Sequence, residues 1–298
     1  MSKNTLKIEV KEILEKIKLR EYLKYEQELS SRLIKKAAIE KRIRVNGEIV
    51  KLNYVMKSND IIEIDLQSEE SQNITPEKME LDIIYEDEDI IVINKPPFMV
   101  VHPTRSHQSG TLSNGVLYHF KENNEGCIVR LVSRLDRDTS GLIIIAKNQH
   151  SHMALAKEME KNNIDKIYLA IVHGRLEKKK GIIDAPIGRR CAESLKREVM
   201  EEGQKAITYY EVIEEFKDAS LVRLKLETGR THQIRVHLSY IGHPIYGDSL
   251  YGEEELQYIN RQALHAYKLG FPHPKTKKEL FLESKLPKDM NKLIEMLK

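Results

Sequence analysis

Cysteine is nearly missing from this chain, with only Cys127 and Cys191 among 298 residues. Neither has a Cys or His partner at finger-like spacing, which argues against both a disulfide scaffold and a structural zinc. Long apolar runs are missing as well. No stretch approaches the roughly 18 residues a membrane span needs, and the opening MSKNTLKIEV lacks the apolar core of a secretion signal. A cytoplasmic protein is expected. There is neither a Walker-type loop nor GxGxxG, so nucleotide-cofactor folds have no support and no cofactor is expected. Charge of one sign is scarce too: the net value of +3 does not by itself announce a nucleic-acid binder. What is present, 40% hydrophobic residues with modest Gly and Pro, describes a folded chain with room for one large and one small domain.

Charge distribution says more than net charge. Residues Leu19 to Leu66 read as a unit of their own: a short helix, then SSRLIKKAAIEKR with a serine cap, then RVNGEIV and DIIEIDL as strands. Asn46-Gly47 is the strongest short hairpin signal. Arg32, Lys35, Lys36, Lys41, Arg42 and Arg44 fall within thirteen residues. Helical spacing puts Arg32, Lys35 and Lys36 on one face and leaves Ile34, Ala37 and Ala38 for a small core. A solvated helix face is one reading; a patch that tracks phosphates is the better one, because the cations concentrate where helix meets hairpin. The stretch QSEESQNITP, Gln67 to Pro76, is polar and reads as a linker. These readings divide the chain into a small module over 1–70, a linker over 71–80 and a large domain over 81–298.

From Leu81 on, β-type runs dominate: LDIIYEDEDIIVINK, CIVRLVSRL, GLIIIAKN, IYLAIVHG, AITYYEVIEEF and SLVRLKLET. Helical pieces are expected at His152–Asn162, Thr231–Tyr240 and Lys288–Lys298. Strands with interspersed helices but no βαβ alternation argue for an α+β domain on a mixed or antiparallel sheet flanked by helices.

The densest chemistry lies in SRLDRDTSGL, Ser133 to Leu142. As a calcium loop it places Lys147 where the ion needs a bidentate carboxylate, and its flanks are strand-like. As a phosphatase motif it has Asp136 and Asp138 at the right spacing but Ser140 in the fifth position, with Arg134 awkward in a buried parallel strand. The third reading takes Asp136 alone as reactive. A carboxylate kept charged in a water-poor pocket needs a fixed cation, and Arg serves better than Lys because it is planar and always charged. The second dense motif, TGRTHQIRVHLSYIGHPIYGD, offers Arg235, on a helix expected to be capped by Thr231 and ended by Gly242 and Pro244.

RLDRDTSGL and LETGRTHQIRVHLSYIGHPIYGD, with INKPPFMVVHP, DKIYLAIVHG and LHAYKLGFPHP, together resemble the RluA-type pseudouridine synthases. The leading unit LREYLKYEQELSSRLIKKAAIEKRIRVNGEIV looks like the small RNA-binding module named after ribosomal protein S-four. The resemblance covers most of the chain and implies an isomerase that breaks the glycosidic bond of a uridine in structured RNA, turns the base and joins carbon 5 to the sugar. It implies Asp136 as catalytic carboxylate, Arg235 as its paired cation, Tyr168 against the target base and Arg134 reaching into the RNA. Arg32, Lys35, Lys36, Arg42 and Arg44 would bind RNA through the small module. It implies large-subunit ribosomal RNA as substrate, with transfer RNA the second candidate, no metal, and a monomer. Taken alone, Tyr168 would be a half-buried strand tyrosine and the Arg235 pair a structural salt bridge. Asn94, Lys95, Pro96, His102 and Pro103 read as structure, and His232, His237, His243 and His265 lack the spacing of a metal site. Two positions depart from the family pattern: Ser133 stands where histidine is common, and Phe98 where glycine is usual. A non-catalytic RNA-binding or ribosome-assembly protein is the competing class, opposed by the intact Asp136, Tyr168 and Arg235.

Overall fold

The computed structural model describes residues 5–11, 16–66, 72–104, 106–191 and 194–298, together with the backbone but not the side chain of Arg32. In the small module, β1 (Thr5–Glu9), α1 (Leu19–Glu21), α2 (Ser31–Ile39), β2 (Ile43–Val45), β3 (Glu48–Ile49) and β4 (Ile61–Asp65) follow in order. The strands form one antiparallel sheet, β1-β4-β2-β3. Local chemistry accounts for the boundaries. Ser30 Oγ accepts from Leu33 N at 3.1 Å and starts α2. Asn46 and Gly47 both take positive φ, 53° and 85°, as a tight primed hairpin turn requires. Leu33, Ile34 and Ala37 of α2 are buried and Ala38 partly so, against Ile43, Val45, Ile62 and Ile64. Local pattern places the start of this unit at Leu19; β1 extends it, pairing with β4 across more than fifty residues, a contact no local pattern announces.

Residues 67–71 of the linker lie outside the described residues. From Gln72 on the segment is packed on the large domain: the Gln72 amide exchanges hydrogen bonds with the Val129 backbone, Ile74 is buried, and Thr75 O accepts from Asn114.

The large domain contains β5 (Ile83–Glu86), β6 (Ile90–Lys95), α3 (Leu112–Glu122), β7 (Arg130–Leu131), β8 (Ser140–Ala146), α4 (Gln149–Glu160) and β9 (Asp165–His173). There follow β10 (Lys180–Asp184), β11 (Ile187–Gly188), β12 (Glu198–Val199), β13 (Ile207–Glu215), β14 (Ala219–Leu226), α5 (Gln233–Tyr240), β15 (Leu264–Pro272), β16 (Glu279–Glu283) and α6 (Lys288–Leu297). The main sheet runs β10-β13-β14-β9-β15-β8-β6-β5, with β16 beside β15 and β7 beside β8. It is mixed, because β15 and β8 run parallel while the other pairs are antiparallel. The fold is α+β.

The uninterrupted apolar runs of β6 and β8 reflect burial on both faces. Alternate side chains go to opposite sides: Ile91, Ile93, Ile143 and Ile145 meet Leu112, Val116 and Phe120 of α3, while Ile90, Val92, Leu142 and Ile144 meet Leu155 of α4. A third core joins β9, β14 and β15 to Ile234 and Leu238 of α5 and Met290 and Leu293 of α6. Two expectations need correction. CIVRLVSRL is strand only at Arg130–Leu131, since beyond it the chain must turn to present the SRLDRD loop. And α5 is not capped by Thr231: its N-cap is His232, in the left-handed region at φ 58° with no side-chain cap, so the chain enters the helix through a kink that carries the imidazole.

Candidate active site

Asp136 sits in the turn between β7 and β8, where Thr139 N donates to Asp136 O at 3.2 Å. Four residues on, β8 begins its parallel pairing with β15 at Ser140↔His265 and Ala266↔Gly141. Gly141 is required there: at φ 113° a Cβ would stand 2.3 Å from Ala266 O. The turn is held from two sides by buried cations. Lys95 Nζ donates to Arg137 O at 2.9 Å, and Arg261 Nη1 donates to Asp138 O at 3.1 Å. Arg261 is itself gripped by Asp289 of α6 through Nε at 2.6 Å and Nη2 at 2.9 Å. The backbone on which Asp136 rides is therefore fixed at the two residues after it.

The carboxylate is fixed from the other direction. Arg235 Nη1 donates to Asp136 Oδ2 at 3.1 Å, while Nε and Nη2 chelate Asp248 at 2.7 and 2.8 Å. Asp248 has no side-chain exposure, Arg235 is 9% exposed and Asp136 is 29% exposed, so the three run outward from core to solvent. Asp248 Oδ1 also accepts from Leu250 N and Tyr251 N, which anchors the anchor. Burial would pull the Arg235 pKa down; the bidentate bond and charge of Asp248, with Asp136 behind it, outweigh that and hold it above the ordinary guanidinium value. The Tyr251 ring lies against the guanidinium, 5.0 Å from Cζ to centroid.

His232 Nδ1 meets Tyr251 OH at 2.9 Å and its Nε2 is 3.8 Å from Asp136 Oδ2. Desolvation lowers its pKa against the opposing pull of Asp136. The loop into α5 is pinned by Gln233, whose Oε1 accepts from Thr228 Oγ1 and Arg230 N and whose Nε2 donates to Ile207 O and Thr208 Oγ1. Tyr168 stands half-buried on β9, opposite Ala266 of β15. Burial, and then the charge of Asp136, raises its phenol above the ordinary value. Arg134 is exposed two residues before Asp136.

In the small module, Lys35 and Arg44 are exposed and Lys36 half-buried. Arg42 differs from them: its Nε pairs with Glu40 at 2.7 Å and its Nη1 donates to Asp65 O, so its guanidinium ties the end of α2 to β4. The side chain of Arg32 lies outside the described residues. The other histidines are engaged in separate places: His237 with Thr208 and Ala185, His243 with His173 O, and His265 between Ser140 and Ser284. Among the described residues, Asp87, Asp89 and His273 bring three ligand-type atoms together, but these already accept from or bond to Tyr85, Asn148, Ser151 and one another, away from Asp136.

Sequence reasoning paired Asp136 with Arg235 and left Asp248, Arg261 and Tyr251 without roles. Asp248 was within reach: an acid closing the same motif as Arg235 is a candidate counter-charge. Arg261 and Asp289 carry no signal outside the three-dimensional structure.

Comparison with known proteins places this architecture. Two human structures share it: RNA Pseudouridylate Synthase Domain Containing 4, with a TM-score of 0.61 and 25% identity over 72% of this chain and 92% of that one, and RNA Pseudouridylate Synthase Domain Containing 1, with 0.57 and 27% over 73% and 94%. The fold is that of the pseudouridine synthases. A profile of the RNA pseudouridylate synthase family matches residues 89–240, and the chain belongs to that family; it is an isomerase that converts uridine in RNA to pseudouridine. Its relatives include the RNA pseudouridine synthase YjbO of Bacillus subtilis (strain 168), 44% identical over 85% of this chain and 89% of that protein. Ribosomal large subunit pseudouridine synthase D of Pseudomonas aeruginosa is 38% identical over 86% and 84%.

Proposed function

We propose that this isomerase acts on uridine in large-subunit ribosomal RNA with Asp136 as its catalytic carboxylate. The observation that supports the assignment is the Asp136–Arg235–Asp248 chain: a solvent-reached carboxylate aimed by a guanidinium that a buried carboxylate holds in place. Relatives named as ribosomal large subunit enzymes support the substrate.

The reaction breaks the bond between base nitrogen 1 and the sugar, rotates the uracil and joins carbon 5 to the same sugar carbon; carbon 5 loses a proton and nitrogen 1 gains one. Atoms and electrons balance within the nucleotide, so an anchored carboxylate acting as nucleophile or base is sufficient. Arg235 aims Asp136 through the hydrogen bond from Nη1 to Oδ2. Tyr168 packs against the base. In the resting enzyme its phenol stays protonated, and covalent capture of Asp136 would remove the negative charge that helps keep it so. The target must leave its stack, at a cost of a few kcal/mol that contacts to phosphate offset. Arg134 at the site and Lys35, Lys36 and Arg44 on the small module are the cations placed to supply those contacts; Arg42 supports the module's own fold. A module joined by a short segment raises the local RNA concentration at the catalytic domain. The protein acts in the cytoplasm as a monomer.

The test is incubation with uridine-labelled transcripts of large-subunit ribosomal RNA and of transfer RNA, followed by nucleoside analysis. Pseudouridine in the ribosomal transcript with wild type, and none with Asp136→Asn, is expected. Product only in transfer RNA would overturn the substrate, and product from Asp136→Asn would overturn the site.

A further inference from the structure

We infer that Phe98 is a substrate-stacking residue, whose phenyl ring takes the face of an RNA base neighbouring the everted uridine. The inference rests on Asp136 being the reacting centre. Phe98 is one of only five phenylalanines, and its side chain stands 44% exposed. It also sits at φ 65°, in the left-handed region. That region is uncommon for any side chain and a genuine outlier for a bulky one. Among the described residues the other left-handed ones besides glycine are Asn, Lys, Glu and His; Phe98 is the sole large apolar side chain among them. It follows Pro97 in a turn, at the position where a type II turn takes glycine or asparagine. Phe98 belongs to none of the hydrophobic core clusters, so burial in the core does not offset this choice.

Strain of this kind persists where the surroundings over-determine it, and here the surroundings are visible. Lys95, fully buried, donates to Pro96 O at 2.9 Å and Met99 O at 3.0 Å, the residues bracketing Pro97 and Phe98. Its third hydrogen goes to Arg137 O at 2.9 Å, next to Asp136. One ammonium thus ties the turn that presents Phe98 to the turn that presents Asp136. A part-exposed aromatic ring, on a turn tethered to the turn of the reacting carboxylate, is placed to meet a flat partner. Every base offers a π face, and stacking is the dominant way proteins hold unpaired nucleotides.

The chain contains no tryptophan, which gives a direct probe. In Phe98→Trp the new indole is the sole one, and a base stacked on it quenches its emission. Steady-state kinetics on a uridine-containing stem-loop should show KM raised about tenfold or more in Phe98→Leu, the change that loss of one base–aromatic stack predicts. Phe98→Tyr should restore the wild-type value, and the dependence of KM on salt should stay the same in both, since no phosphate contact is touched. Phe98→Gly should melt above wild type, the left-handed strain being relieved, while sharing the KM defect. A KM for Phe98→Leu within twofold of wild type, failure of Phe98→Tyr to restore it, or emission of Phe98→Trp unchanged by saturating RNA would each overturn the inference. Loss of turnover in Asp136→Asn, measured in the same assay, separates this failure from failure of the site assignment.

Discussion

Asparagine placed at either end of the Arg235 guanidinium separates structure from chemistry. At position 248 it removes a fully buried charge that takes two N–H bonds from Arg235, and leaves the guanidinium desolvated with one partner. Breaking a buried pair from one side costs about 3–5 kcal/mol. In a domain of roughly 200 residues each kcal/mol moves the melting temperature by about 2–4 °C, so Asp248→Asn should melt about 6–20 °C below wild type. At position 136 the carboxylate is 29% exposed and takes one bond from Arg235, which stays chelated by Asp248. Solvent screening reduces the worth of that end to about 1 kcal/mol, a loss of about 2–4 °C. Turnover should rank the other way. Asp136→Asn should abolish it, whereas Asp248→Asn keeps the Asp136 carboxylate and should lose about a hundredfold through misplacement. Thermal melts by circular dichroism and single-turnover pseudouridine formation measure both quantities. Equal melting losses in the two variants would refute the core-to-solvent ordering, and so would melting losses in the reverse order.

Lys95→Met leaves the carbonyls of Pro96, Met99 and Arg137 without their donor, each orphan costing ~1–3 kcal/mol less the relief of unburying a cation; a urea midpoint lowered by about 3 kcal/mol equivalent and a reduced kcat are expected. Burial depresses the His265 pKa from 6.5 to about 4, with Arg261 adding to the effect. The folded state then binds fewer protons than the unfolded one between those values, so stability is full above pH 6.5 and falls by about 3 kcal/mol on acidification towards 4. His265→Asn should flatten that slope in melts recorded across the window. Charge removal at Lys35 and Arg44 together should weaken RNA binding and lower the slope of log affinity against log salt by about 1.5, with kcat on a small substrate unchanged; an unchanged slope would remove the small module from the RNA interface.

The α+β class, the helices over α4, α5 and α6 and the Asn46-Gly47 hairpin follow from signals a few residues long, because capping, turn geometry and side-chain alternation act over that range. The apolar runs of β6 and β8 and the motif around Asp136 were legible for the same reason. The Thr231 cap failed on a local competition: the chain needed His232 kinked towards Tyr251 and Asp136 more than it needed a hydroxyl at the helix start. β1 and β15 were missed because their partners are remote or because their residues read as motif rather than as strand.

Charge shows the boundary most plainly. Sequence alone determined which residues are cationic and acidic, and that Asp136 and Arg235 belong to two dense motifs. Tertiary structure alone decided that Lys95, Arg42 and Arg261 are staples for backbone carbonyls while Lys35 and Arg44 face water. It also decided that Asp248 holds the guanidinium that Asp136 uses, 99 residues away from it in the chain. The reason is physical: a side chain's charge is intrinsic, but what that charge does depends on how much water and which dipoles surround it, and only the folded chain sets those.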